Sequence, residues 1–117
     1  MKELRCIVFT DREVLSAVID RRRRIKEAVP EGTVVGITYG LDGGVQTTLE
    51  LDNGKGERSQ VSLPEAEVQS ALLAYLMSKN VPLPADSEKT LYIIKGAPTL
   101  MITMNFNKPA RLIAAVA

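Results

Sequence analysis

Over residues 45–51 the side chains alternate without a break: Val45, Thr47, Leu49 and Leu51 fall on one side of an extended chain, and Gln46, Thr48 and Glu50 on the other. Successive side chains of a strand point to opposite faces, so this period of two predicts a strand with one covered and one wet face. Asp52-Asn53-Gly54-Lys55-Gly56 follows. An Asn-Gly pair readily takes the positive-φ positions of a hairpin turn, so residues 57–63 are expected to return as a more polar strand suited to a sheet edge. The covered β face then needs another layer to lie on it.

Two segments can supply that layer. Thr10-Asp11-Arg12-Glu13 has the form of a capping box, in which Thr10 accepts from an early helical amide and Glu13 reaches back. Val14 or Leu15, Val18, Ile25 and Ala28 or Val29 recur at helical spacing, and Pro30 disfavours helical backbone at Val29, so the first helix is expected to end there. Ser62-Leu63-Pro64-Glu65 reads as a second capping box opening a helix to about Lys79, with Val68, Ala71, Leu72, Tyr75 and Leu76 as its apolar stripe. Asn80 suits the left-handed residue that closes a helix, and Pro82 and Pro84 prevent its resumption.

The remaining strands are read at 4–9, 33–39, 90–95 and 99–106, the last two joined by Gly96-Ala97-Pro98. Residues 107–117, apolar with three alanines after Arg111, fit a final strand, a short helix or a docked terminus. The expected fold is therefore α+β: a two-layer sandwich in which two helices cover one face of a mostly antiparallel sheet, in the order β-α-β-β-β-α-β-β. Each half pairs a helix with strands, but no residue-level repeat is read. The length, 117 residues, with 45% hydrophobic and 25% charged side chains, suits one domain over 1–117 with a single core.

Function is constrained mainly by exclusion. The chain has no histidine, which removes the commonest general base near neutral pH and every Ser-His or Cys-His nucleophile pair. With one cysteine, the usual structural zinc sites are excluded within the chain. Catalysis through carboxylates with lysine or tyrosine remains open, but no catalytic residue, metal ligand or cofactor is read. Gly54-Lys55-Gly56 joins two strands rather than a strand and a helix, so a phosphate loop is not expected. Asp42, Asp52, Glu65 and Glu67 have sufficient local roles in turns and first helical turns. Cys6, in an apolar first strand read as interior, is expected to be a small buried hydrophobe.

Two surfaces remain as candidates. Arg21-Arg22-Arg23-Arg24, with Lys26, forms the most basic stretch of a chain whose net charge is +1, and offers contact to an anion, an acidic protein or nucleic acid. Four successive helical residues turn about 100° each, so the guanidinium groups encircle the helix instead of forming one stripe. Asp20 with Arg24 and Arg23 with Glu27 stand at ion-pairing distance along a helix. The second surface is the sheet face opposite the helices: Tyr92 and Ile94 oppose Leu91 and Ile93, Met101 opposes Leu100 and Ile102, and Cys6 and Val8 oppose Ile7 and Phe9. An apolar face of this kind predicts either self-association through Tyr92, Ile94 and Met101 or a cover supplied by the C-terminal tail.

The expectation is a non-catalytic interaction module, cytoplasmic and without membrane contact, forming a homodimer or other homo-oligomer. The competing readings are a nucleic-acid-binding or regulatory protein using the arginine-rich first helix, and a small enzyme or ligand-binding domain with a carboxylate, Arg and Lys site at a subunit cleft.

Overall fold

A computed structural model describes residues 1–105, and the alternatives for 107–117 lie outside the described residues. The elements are β1 (Lys2–Val8), α1 (Asp11–Arg24), β2 (Thr33–Gly40), β3 (Gln46–Asp52), β4 (Arg58–Leu63), α2 (Glu65–Ser78), β5 (Glu88–Ile94) and β6 (Ala97–Asn105). The expected α+β sandwich and its element order are both present. Its strands form two antiparallel three-stranded sheets, here sheet A in the order β1-β6-β5 and sheet B in the order β2-β3-β4. β1, read as interior, is an edge strand of sheet A, since its apolar inner side needs only the central strand β6 beside it. Among the described residues no helix is long and apolar enough to cross a membrane.

The topology contains a repeat. β1-α1-β2-β3 and β4-α2-β5-β6 are both βαββ units, and each lends its first strand to the other: β1 pairs with β6, and β4 with β3. Both helices have 14 residues, and their starts, Asp11 and Glu65, lie 54 positions apart. So do the left-handed residues Lys26 and Asn80, which close them. Each terminus is a Schellman motif, with Glu27 N–H bonded to Arg22 C=O and Val81 N–H to Leu76 C=O. At this offset Glu-Val-x-Ser-Ala recurs, at residues 13–17 and 67–71. The offset falls to 51 in the central strands because the hairpin loop 41–45 is three residues longer than the loop 95–96.

Equivalent positions build the core. Val14 and Val68, Ala17 and Ala71, Val18 and Leu72, Phe9 and Leu63, Leu49 and Leu100, and Leu51 and Ile102 are each buried pairs. All but Leu51 join one cluster drawn from both helices and both sheets. The helices pack against each other, and the equivalent alanines Ala17 and Ala71 are among the small residues at their cleft.

Where the sequence offered two capping boxes, one forms. Thr10 Oγ1 accepts from Glu13 N–H and Glu13 Oε1 accepts from Thr10 N–H. The N-cap of α2 is Pro64, which has no N–H to donate such a return bond, and Ser62 is held in β4 opposite Thr48. Glu65 instead accepts from Val45 N–H, pinning α2 to the start of β3. Gly44, at φ +119°, keeps this approach open, because a Cβ there would lie 3.3 Å from the Glu65 carboxylate. α1 also ends five residues earlier than Val29, since Lys26 takes the left-handed conformation and closes it.

Candidate interaction surfaces

Residues directly opposite in a sheet share a face. Across sheet A the rows Leu4–Thr103–Glu88, Cys6–Met101–Thr90 and Val8–Thr99–Tyr92, with Ala97 beside Ile94, therefore lie on one side, and Ile7–Leu100–Leu91 on the other. Leu100 and Leu91 are core residues, so the first set is the outer face. Leu4 is 60% exposed, Val8 63%, Tyr92 46% and Ile94 40%, while Met101 is partly buried. The structure thus gathers Tyr92, Ile94 and Met101 on one face, and the register adds Leu4, Cys6 and Val8. Cys6 is exposed rather than buried, because the inner side of β1 is taken by Ile7 and Phe9.

Sheet B supplies an internal control. Its outer rows are Thr38–Thr48–Ser62, Gly36–Glu50–Gln60 and Asp52–Arg58. At positions equivalent through the repeat, Leu4 corresponds to Arg58, Cys6 to Gln60, Val8 to Ser62, Met101 to Glu50, and Tyr92 to Thr38. The same unit folds with a polar outer face in one sheet and an apolar one in the other. The apolar outer face is thus particular to sheet A and not a property of the βαββ unit.

The basic stretch is divided rather than gathered. Arg22 turns inward: Nε and Nη2 donate to Glu67 Oε2 and Oε1 at 2.9 and 3.1 Å, and Nη1 to Ala28 C=O at 3.1 Å. These bonds to Glu67 raise its pKa further above an already high value. Glu67 is available because, unlike its equivalent Glu13, it has no N-cap amide to serve. Arg21 and Arg24 line a cleft of about 10 Å³ between the helices with Asp20, Tyr75 and Ser78, room for a single water at most. Arg23, Arg24 and Lys26 are exposed. The anticipated pairs Asp20–Arg24 and Arg23–Glu27 do not form; the ion pairs among the described residues are Arg22–Glu67 and Arg58–Asp52.

The carboxylates take local roles. Asp52 Oδ1 accepts from Gly54 N–H in the β3–β4 turn, and Asp11 Oδ1 accepts from the Tyr39 hydroxyl at 2.6 Å. Asp86 and Glu88 line an open cavity of about 310 Å³ with Lys2, at the end of sheet A where β1 begins and β6 ends. Among the described residues no group of Cys, Asp and Glu is placed to hold a metal ion.

Burial, and then the bond to Asp11, push the Tyr39 pKa well above the ordinary tyrosine value. The neutral phenol is thus favoured in the folded state. Its contribution to stability is complete below about pH 10, the ordinary tyrosine pKa, and is lost as pH rises from there through the folded pKa. Near-ultraviolet titration should show one of the three tyrosines ionising late, and Tyr39→Phe should remove both that late step and this component of the alkaline loss of stability.

No protein-family model, no curated protein and no solved structure matches the chain.

Proposed function

We propose that the chain is a non-catalytic protein-interaction module that self-associates through the outer face of sheet A. The observation that carries this reading is the contrast between the two outer faces, apolar at Leu4, Val8, Tyr92 and Met101 and polar at their equivalents in sheet B, with Ile94 matched by Gly40. From these exposures the patch is on the order of 500 Å², the size of the largest apolar patch on a typical monomer, which is often functional. Two such patches would bury roughly 1,000 Å², near the lower limit for a specific interface, so reversible, micromolar association is expected. Arginine-mediated binding is less favoured, because Arg22 is committed to Glu67 and Arg21 is half-buried beside the helix cleft.

The repeat also provides the test. Val8→Ser, Tyr92→Thr and Met101→Glu write the outer face of sheet B onto sheet A. Sedimentation from about 1 to 100 μM should show a monomer–dimer equilibrium for the wild type. The triple variant should remain folded by circular dichroism and associate at least 100-fold more weakly. Alkylation of Cys6 should slow as wild-type concentration rises, since association covers it. A wild type that stays monomeric throughout, or a triple variant that associates as strongly, overturns the reading.

A further inference from the structure

Taking self-association through sheet A as its premise, the geometry points to one arrangement of the two copies. We propose that the sheets stack face to face with a two-fold axis parallel to their strands. β1 of each copy then lies over β5 of the other, Met101 lies on the axis, Val8 packs against the partner's Tyr92, and Lys2 pairs with the partner's Glu88.

Stacked sheets keep their strand directions nearly aligned, within about 30°. With Met101, the centre of the middle row Cys6–Met101–Thr90, placed on the axis, two aligned two-fold arrangements exist. An axis along the strands exchanges β1 with β5 and keeps their ends together. An axis across the strands lays β1 on β1 and reverses the ends.

The charges on this face distinguish the two. Within its strands they are Lys2 on β1 and Glu88 on β5, on opposite edge strands but at the same end, one row apart, opposite Asn105 and Thr103 of β6, and Asp86 in the loop before β5 lines the cavity at that same end. An axis along the strands brings each Lys2 to the partner's Glu88, forming two opposite-charge pairs at the rim around an uncharged centre, the usual distribution in an interface. Glu88 then lays its methylenes over the partner's Leu4 while its carboxylate reaches Lys2. An axis across the strands places Glu88 over the partner's Tyr92 ring and Lys2 over the other end of β1, where no acid lies on that face.

Side-chain sizes agree. In the row Val8–Thr99–Tyr92, an axis along the strands sets the smaller Val8 against the larger Tyr92 twice, while Thr99 between them is itself buried, 1% exposed. Large against small at facing positions lets two layers interdigitate, whereas the alternative sets Val8 on Leu4 and leaves Tyr92 facing a carboxylate.

Charge reversal and cross-linking of the full chain test this. Lys2→Glu alone and Glu88→Lys alone should each weaken dimerisation about tenfold, with the steepest effect at low salt, and the two together should restore it to near the wild-type constant. In a Cys6→Ser background, Val8→Cys with Tyr92→Cys should give a disulfide-linked dimer under mild oxidation that Val8→Cys alone does not. Thermal unfolding confirms that each variant is folded. Neutral single reversals, or a double reversal that fails to restore while the wild type dimerises, overturn the arrangement and leave self-association standing. Efficient cross-linking of Leu4→Cys with Val8→Cys selects the crossed axis. A wild type that stays monomeric removes the premise itself.

Discussion

Leu100→Ala is expected to lower the free energy of unfolding by about 3 kcal/mol, and Leu49→Ala by nearly the same amount. Both leucines sit on the central strand of their sheet, both belong to the shared cluster, and they are 0% and 1% exposed. Truncation removes buried methyl groups and leaves a cavity that neighbours fill only partly, the source of the 2–5 kcal/mol range for such changes. The two residues are equivalent through the repeat, and each is flanked by its own row, Ile7 and Leu91 for one, Ile37 and Val61 for the other. Their losses should therefore agree to within about 1 kcal/mol. Denaturant midpoints at one fixed protein concentration provide the measurement, since dimerisation would otherwise shift apparent stability. Met101→Glu is the contrast: one residue away on the outer face, it should change monomer stability by less than about 0.5 kcal/mol. A large loss at Met101, or an effect at Leu100 with none at Leu49, would contradict both the shared core and the equivalence of the halves.

Much of this architecture is legible without coordinates, and the reason differs from element to element. The alternation over 45–51 becomes β3 with its predicted inner side buried, because a half-covered strand leaves a period that neither composition nor context disguises. Asn80 closes α2 as its preference for the left-handed conformation implies. Lys26 does the same for α1 without a sequence signal, since lysine carries no such signature and Pro30 supplies a later, plausible stop. The second capping box had the right letters, but Ser62 was already committed to pairing with Thr48, and Pro64 removed the amide. Local patterns fail where a neighbouring strand has a prior claim on the residue.

The repeat was hidden for a related reason. Its helices share only Glu-Val-x-Ser-Ala, and the offset changes from 54 to 51 across hairpin loops of unequal length, so no single shift aligns the halves. The candidate face divides in the same way. Tyr92, Ile94 and Met101 were visible as apolar side chains with a filled inner side behind them. That Leu4, Cys6 and Val8 complete the patch depends on β1 pairing with β6, from the far end of the chain. Sequence shows that a strand is apolar on both sides; only long-range pairing shows which strands share the exposed side.

The largest electrostatic effect is expected at Glu67. Glu67→Ala should reduce stability by about 2 kcal/mol, less than the 3–5 kcal/mol typical when one partner of a fully buried pair is removed, because these side chains retain 16% and 15% exposure. The loss comes mainly from stranding the Arg22 guanidinium, whose Nε and Nη2 both lose their acceptor while Nη1 keeps Ala28 C=O. The repeat indicates what the same place accepts without charge: the equivalent of Arg22 in α2 is Leu76, 4% exposed and part of the core. Arg22→Leu combined with Glu67→Leu should therefore recover most of the loss, since replacing both partners with apolar groups avoids the unpaired charge. A double-mutant cycle by urea denaturation should give a coupling energy of about 1–2 kcal/mol between the two positions. Glu13→Ala is the matched control. It breaks the capping box at Thr10 and should cost about 1 kcal/mol, with no coupling to Arg22. If Glu67→Ala instead costs no more than Glu13→Ala, the bidentate pair contributes nothing beyond an ordinary helix-terminal carboxylate, and Arg22 would return to the set of arginines available to an outside partner.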